Sequence, residues 1–147
     1  MKFIGFEREL EAIEWAKKRI DIEGDVGFCR AMSTVDVNDD FALVIVFSNF
    51  SKRNVDMHTA AVAGAKWATL KAGIVAFNKS FQYAFNKLGA VRVTGLVRAK
   101  NSAARRFDEH LGFKLEGIMQ KAFEDDDLCI YGFLKEDFEA HKWYRGS

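Results

Sequence analysis

The segment NSAARRFDEHLG, Asn101 to Gly112, reads as a short helix with Arg105 and Arg106 in its first half and Asp108 and Glu109 toward its end. That order opposes the helix macrodipole, which favours acids first and bases last. A helix N-terminus already attracts anions through N–H groups that lack intrahelical partners. The reversed charges either strengthen an anion site there, or pair along the helix, Arg105 with Asp108 and Glu109. A second constellation lies upstream, in NVDMHTAAV, Asn54 to Val62. Read as a strand, it places Asp56 and His58 on one face. A carboxylate beside an imidazole with an unperturbed pKa of about 6.5 is suited to taking up a proton near neutral pH.

These groups need a scaffold, and the composition bounds it. The chain has 147 residues, 49% hydrophobic and 29% charged, with a net charge of +1. That suits one domain with a real core and argues against a general nucleic-acid or membrane-surface binder. Cys29 and Cys129 form no metal-ligand spacing and are expected as small buried residues. His58, His110 and His141 form no H-x-x-x-H pattern, so no metal site is expected. No apolar run approaches the ~20 residues that span a bilayer. MKFIGFERELEAIEW runs straight into charge, unlike a signal peptide, so a cytoplasmic protein is expected. With no proline, linker or repeat, residues 1–147 read as a single domain.

Glu7 to Ile20 reads as an amphipathic helix with Leu10, Ile13, Trp15, Ala16 and Ile20 inward, followed by Gly24 near its end. VGFCRAMSTV and FALVIVFSNF read as strands joined by the polar turn DVNDD, and Asn54–Val62 as a third strand. Ala63 to Ala68 reads as a loop. A longer helix then runs from near Thr69 to Gly89, with Ile74, Phe77, Phe81, Ala84, Phe85 and Leu88 buried and Gly89 as the residue past its end. VRVTGLV is a strand, Val91 to Val97. The short helix follows, capped by Asn101, with Ala104, Phe107 and Leu111 on one face and Gly112 ending it. FKLEGIMQKAF and DLCIYGFL form a closing pair of strands around the acidic turn Glu124 to Asp127, and the tail is weakly helical or irregular. The fold class is α/β (α+β), a mixed sheet with helices packed on it.

At YAFNKLGAVRVTGLVRAKNSAARRFDEHLGFKLEG the sequence resembles the GNAT N-acetyltransferase superfamily, nearest the branch of ribosomal-protein N-terminal acetyltransferases and its small bacteriophage members. Tyr83, Phe85, Leu88, Gly89, Arg92, Val93, Val97, Asn101, Leu111, Gly112, Phe113, Glu116 and Gly117 carry the likeness. It implies a mostly antiparallel twisted sheet with helices on both faces. It also implies acetyl-coenzyme A as donor and a primary amine as acceptor: a protein N-terminus, a lysine or a small molecule. The donor's pyrophosphate is then expected at Lys66, Trp67, Ala68, Thr69, Leu70, Lys71, Ala72 and Gly73. The family's glycines there are replaced by Thr69 and Lys71 in an ungapped register, or served by Gly64 in a gapped one. Asn101 is expected on the pantetheine arm, with Arg98, Lys100, Arg105 and Arg106 around the nucleotide.

Backbone N–H groups around Ala60 to Val62 are the expected stabilisers of the thioester oxygen. Asp56 and His58 are the candidate bases, with Glu116 a third. The family's acid hydroxyl is missing: the positions three and seven residues after Asn101 are Ala104 and Asp108. Ser102 is nearby, Tyr131 is the candidate substitute, and a thiol as acidic as that of coenzyme A can leave without an acid. Two other readings stand beside the enzyme. One is a GNAT-fold module that binds donor weakly or not at all and acts through a partner. The other is a nucleic-acid contact by RAKNSAARR, which lacks interleaved aromatics for base stacking. Trp143 and Tyr144 pack either inward or against a second copy, so a homodimer stays open.

Overall fold

The computed structural model describes residues 1–20, 27–67 and 70–141. The elements are β1 (Lys2–Gly5), α1 (Glu9–Lys17), β2 (Cys29–Val35), β3 (Phe41–Ser48), β4 (Asn54–Ala61), α2 (Lys71–Gln82), β5 (Arg92–Arg98), α3 (Ser102–Leu111), β6 (Lys114–Met119), β7 (Leu128–Leu134) and α4 (Lys135–Ala140). They build one seven-stranded sheet in the order β1-β2-β3-β4-β5-β7-β6. Every pairing is antiparallel except β4 with β5, which is parallel. The α2 crossover makes that parallel step feasible, since parallel neighbours cannot be joined by a tight turn.

The sheet has a core on each face. Phe77, Phe81 and Phe85 from α2 and the turn after it pack with Phe113, Phe133 and Phe138 on one side. Phe81 and Phe133 have ring centroids 4.9 Å apart, within the range of favourable aromatic pairing. On the other side Ala12 and Ala16 of α1 lie against Ala31, Val35, Val44, Val46 and Ala60. The alternation along β4 follows: Val55 and Met57 face the phenylalanine side, Ala60 the α1 side.

Several expectations are corrected. Strand β1 precedes the first helix, and the helix begins at Glu9. Leu10 is 82% exposed, because the helix approaches the sheet through the small residues Ala12 and Ala16 and Leu10 lies about 200° from Ala12 around the helix. Glu9 fixes this start: its carboxylate accepts from the Arg30 guanidinium at 2.7 Å and from the Ala31 N–H at 2.9 Å. Helix α2 starts at Lys71 and passes into a π-helical turn, Tyr83–Lys87, where the Leu88 N–H reaches the Tyr83 carbonyl at 2.9 Å. That wider turn rotates Leu88 outward, to 38% exposure. Gly89, at φ 76°, then ends the helix as expected. Cys129 is fully buried, but Cys29 only partly. The tail forms α4. Gly24, Ala68, Thr69, Trp143 and Tyr144 lie outside the described residues. Among the described residues no helix is long and apolar enough to cross a membrane.

Candidate functional site

Strands β4 and β5 run side by side only from Asn54↔Arg92 to Met57↔Gly95. Beyond that point β4 stays paired with β3 to Ala61, and β5 stays paired with β7 to Arg98. The two strands therefore part, and a cleft of about 120 Å³ opens between them. His58 and Thr59 form one wall, Leu96 and Arg98 the other, and Asn101 and Asp108 close it from α3.

The ladder decides which peptide groups face this wedge. The Val62 N–H is bonded to the Ala42 carbonyl at 2.9 Å. Peptide direction alternates along an antiparallel strand and the β3–β4 register is unbroken, so the N–H of Ala60 also turns to β3. Thr59 and Ala61 are the residues whose N–H groups point toward the parted strand. Within the expected range Ala60 to Val62, Ala61 turns its N–H toward the gap, whereas Ala60 and Val62 turn theirs to β3. Side-chain alternation is visible in the sequence, but which edge a peptide faces is set by the pairing partner.

His58 lines the wedge just past the last β4–β5 pair and is 7% exposed. Its Nε2 lies 3.0 Å from Ser48 Oγ. Burial pushes the imidazole below its ordinary 6.5, with the Asp56 charge pulling the other way, so the ring is neutral at pH 7. Asp56 is on the same face but does not line the wedge. Its carboxylate accepts from Asn54 Nδ2 at 2.9 Å and Asn49 Nδ2 at 3.3 Å. Asn54 also accepts from Thr94 Oγ1 at 2.5 Å, and Thr94 accepts from Arg92. Arg92 pairs with both carboxylate oxygens of Glu116, at 2.7 and 3.2 Å. Gly132 makes room for that pair, since a Cβ there would strike the Glu116 carboxylate and the Arg92 guanidinium. Glu116 is thus an Arg92 partner on the far side of β7, away from the wedge.

Tyr131 is fully buried, opposite Gly95 in the β5–β7 ladder, and does not line the wedge. Its hydroxyl accepts from Arg105 Nε at 3.0 Å, and Arg105 Nη1 donates to the Ala99 carbonyl at 3.4 Å. Arg105 therefore turns inward, and its expected pairing with Asp108 and Glu109 is not formed. Asn101 caps α3 as expected, accepting from the Ala104 N–H at 3.2 Å. The acidic turn braces the approach to α3. Asp126 accepts from the Lys100 N–H at 2.9 Å, Lys100 Nζ reaches the Asp125 carbonyl at 2.6 Å, and Arg98 lies 3.5 Å from Asp125. Partial desolvation pushes Asp126 up, but the amides of Lys100 and Asp127 and the nearby cations hold it below the usual carboxylate range. With Arg98 and Lys100 engaged here and Arg105 inward, RAKNSAARR is no open basic stripe.

Among the described residues no side chain caps α2, whose first turn carries no acid. Lys66 and Lys71 are exposed and Leu70 is the N-cap. Trp67 is 6% exposed and belongs to the phenylalanine-rich core. Its carbonyl rests where Gly73 has no Cβ, so Gly73 lets the loop close onto the helix. Gly64, at φ 87°, faces open space.

The residue that sequence reasoning left without a role is Asp108. Its side chain lines the wedge and makes no hydrogen bond among the described residues. Burial, then the Glu109 charge, push its carboxyl from 3.8 to about 7. The sequence signal was its place seven residues after Asn101; the structure adds Gly95 beneath it, whose missing Cβ would lie 3.1 Å from Asp108 Oδ2.

No family model matches the sequence, and no curated protein is similar to it. Solved structures are similar. Spermidine N-acetyltransferase from Vibrio cholerae, in complex with CoA and spermine, aligns at a TM-score of 0.64 and 18% identity, over 86% of this chain and 75% of that one. A GNAT-family acetyltransferase from Bacillus anthracis gives 0.59 and 17%, over 72% of this chain and 66% of that one. The dodecameric Vibrio cholerae spermidine enzyme gives 0.64 and 15%, over 76% and 68%. The mixed, mostly antiparallel sheet with its helices thus has the fold of these acetyltransferases.

Proposed function

We propose that the chain is an acetyl-coenzyme A-dependent N-acetyltransferase, passing the acetyl group directly to a primary amine in a ternary complex. The parting of β4 from β5 carries this reading. It leaves a slot walled by backbone, with the N–H groups of Thr59 and Ala61 turned inward and a neutral imidazole at its edge. The donor supplies an activated acyl group; the chain's own groups do the rest. Thr59 and Ala61 offer N–H groups to the oxygen on which charge develops. The N-terminal amides of α2, with Lys66 and Lys71 beside them, suit the pyrophosphate, and Asn101 suits the pantetheine arm. His58 takes the amine proton: the tautomer with Nε2–H donating to Ser48 leaves a lone pair on Nδ1. Asp56, tied to two asparagine amides, contributes charge rather than a proton acceptor.

The motif from Tyr83 to Gly117 supports the ribosomal-protein N-terminal acetyltransferase branch, so a protein N-terminus heads the acceptors. Polyamines belong beside it, because the Vibrio cholerae neighbour was solved with spermine. One observation favours the second reading, a module that does not turn over: the Trp67 carbonyl seated against Gly73 draws the loop tight onto the start of α2. Calorimetry with acetyl-coenzyme A, followed by thiol release over a panel of peptides, lysine and polyamines, decides between them. Binding with turnover is expected; no heat at millimolar donor would overturn the enzyme.

A further inference from the structure

We propose that Asp108 is a catalytic residue, the group whose proton the departing thiolate takes up. This rests on the acetyltransferase reading and goes beyond it, because the position seven residues after Asn101, where the resembled family has a hydroxyl, holds a carboxyl here. The carboxyl reaches the wedge from α3, across from His58 on β4, and both line the same 120 Å³ cleft. Gly95 on β5 leaves it space, and the side chain has no hydrogen-bond partner among the described residues. A carboxyl so placed is favoured in its neutral form, consistent with its rise to about 7. The charged groups around it do not reverse this. Arg98 on β5 faces the wedge but reaches Asp125, Arg105 turns to Tyr131, and Glu109 repels the carboxylate. On β6, Lys114 lies 3.9 Å from Asp137 and Glu116 is held by Arg92.

The step balances. The amine nitrogen bonds the acetyl carbon as His58 takes the proton it loses. The carbon–sulfur bond breaks with its electron pair on sulfur, and the sulfur receives the Asp108 proton. Amine and thioester have become amide and thiol. The imidazolium and carboxylate left in one cleft return to their starting forms by passing a proton through water. Two groups whose surroundings move them in opposite directions, His58 down and Asp108 up, divide the roles of base and acid.

The test combines Asp108→Asn and Asp108→Glu with a readout independent of turnover. Carbon-detected NMR of the wild-type carboxyls, assigned by the signal missing in Asp108→Asn, should give a midpoint near the value of about 7. With acetyl-coenzyme A, Asp108→Asn should lose about 10²-fold in kcat, keep its donor affinity, and lose the fall in rate above neutral pH. Asp108→Glu should restore part of the rate. A midpoint in the ordinary aspartate range, or full turnover by Asp108→Asn with an unchanged pH profile, overturns the assignment alone. A wild-type chain that binds no donor overturns the enzyme reading and this proposal together.

Discussion

Removing the Asp108 charge should stabilise the fold, by an amount that depends on pH. An aspartate whose folded-state pKa is raised binds its proton more tightly in the folded chain than in the unfolded one. Below the unfolded value near 3.8 both states hold the proton and no cost arises. As pH rises toward about 7 the unfolded chain releases its proton freely while the folded chain resists, and stability falls. Above that the cost is constant. At 1.36 kcal/mol per pKa unit, a carboxyl moved from 3.8 to about 7 makes the folded state up to about 4 kcal/mol less stable. Asparagine keeps the shape and cannot ionise. Urea unfolding of wild type and Asp108→Asn at intervals from about pH 4 to 8 should give a stability difference that grows with pH and then levels. Thermal melts should follow, at about 3 °C per kcal/mol for a domain of this size. A difference that stays flat across that range would refute a half-buried, unpartnered carboxyl that resists ionising.

Two further outcomes follow from the site. His58→Ala should lower kcat about 10²-fold with donor affinity unchanged, whereas Asp56→Asn should cost far less. The wild-type rate should fall as pH drops through a midpoint below 6.5, where the buried imidazole becomes charged; equal losses in both variants, or an acid limb above 6.5, would disprove His58 as base. Gly73→Ala places a Cβ against the Trp67 carbonyl, so the loop must lift. The expected cost is about 1–3 kcal/mol with weakened donor binding in calorimetry, and an unaffected melt and affinity would show that the loop does not rest there.

Local signals in this sequence translated directly. Asn101 caps α3, DVNDD turns β2 into β3, and Gly89 and Gly112 end their helices at positive φ, because each effect acts over a few residues. Asp56 and His58 share a face because strand parity is fixed by the chain itself. What the sequence concealed depends on partners distant in the chain. The peptide direction at Thr59 and Ala61 follows from the pairing with β3, and the parting from β5 follows from where that ladder stops. Arg105 finds Tyr131 across 26 residues, though its helical neighbours Asp108 and Glu109 looked like its partners. The short β1 carries too few residues to show a period. Asp108 looked like an ordinary helix-end acid until α3 was laid over Gly95.

The central claim is that the gap between β4 and β5 receives the thioester end of acetyl-coenzyme A. Titrating the ¹⁵N-labelled chain with the donor tests it most directly, one amide at a time. The largest shifts are expected at the N–H groups of Thr59, Ala61 and Asn101, with Ala60 and Val62, bonded into β3, moving much less. Shifts centred elsewhere, or none at millimolar donor, would contradict it.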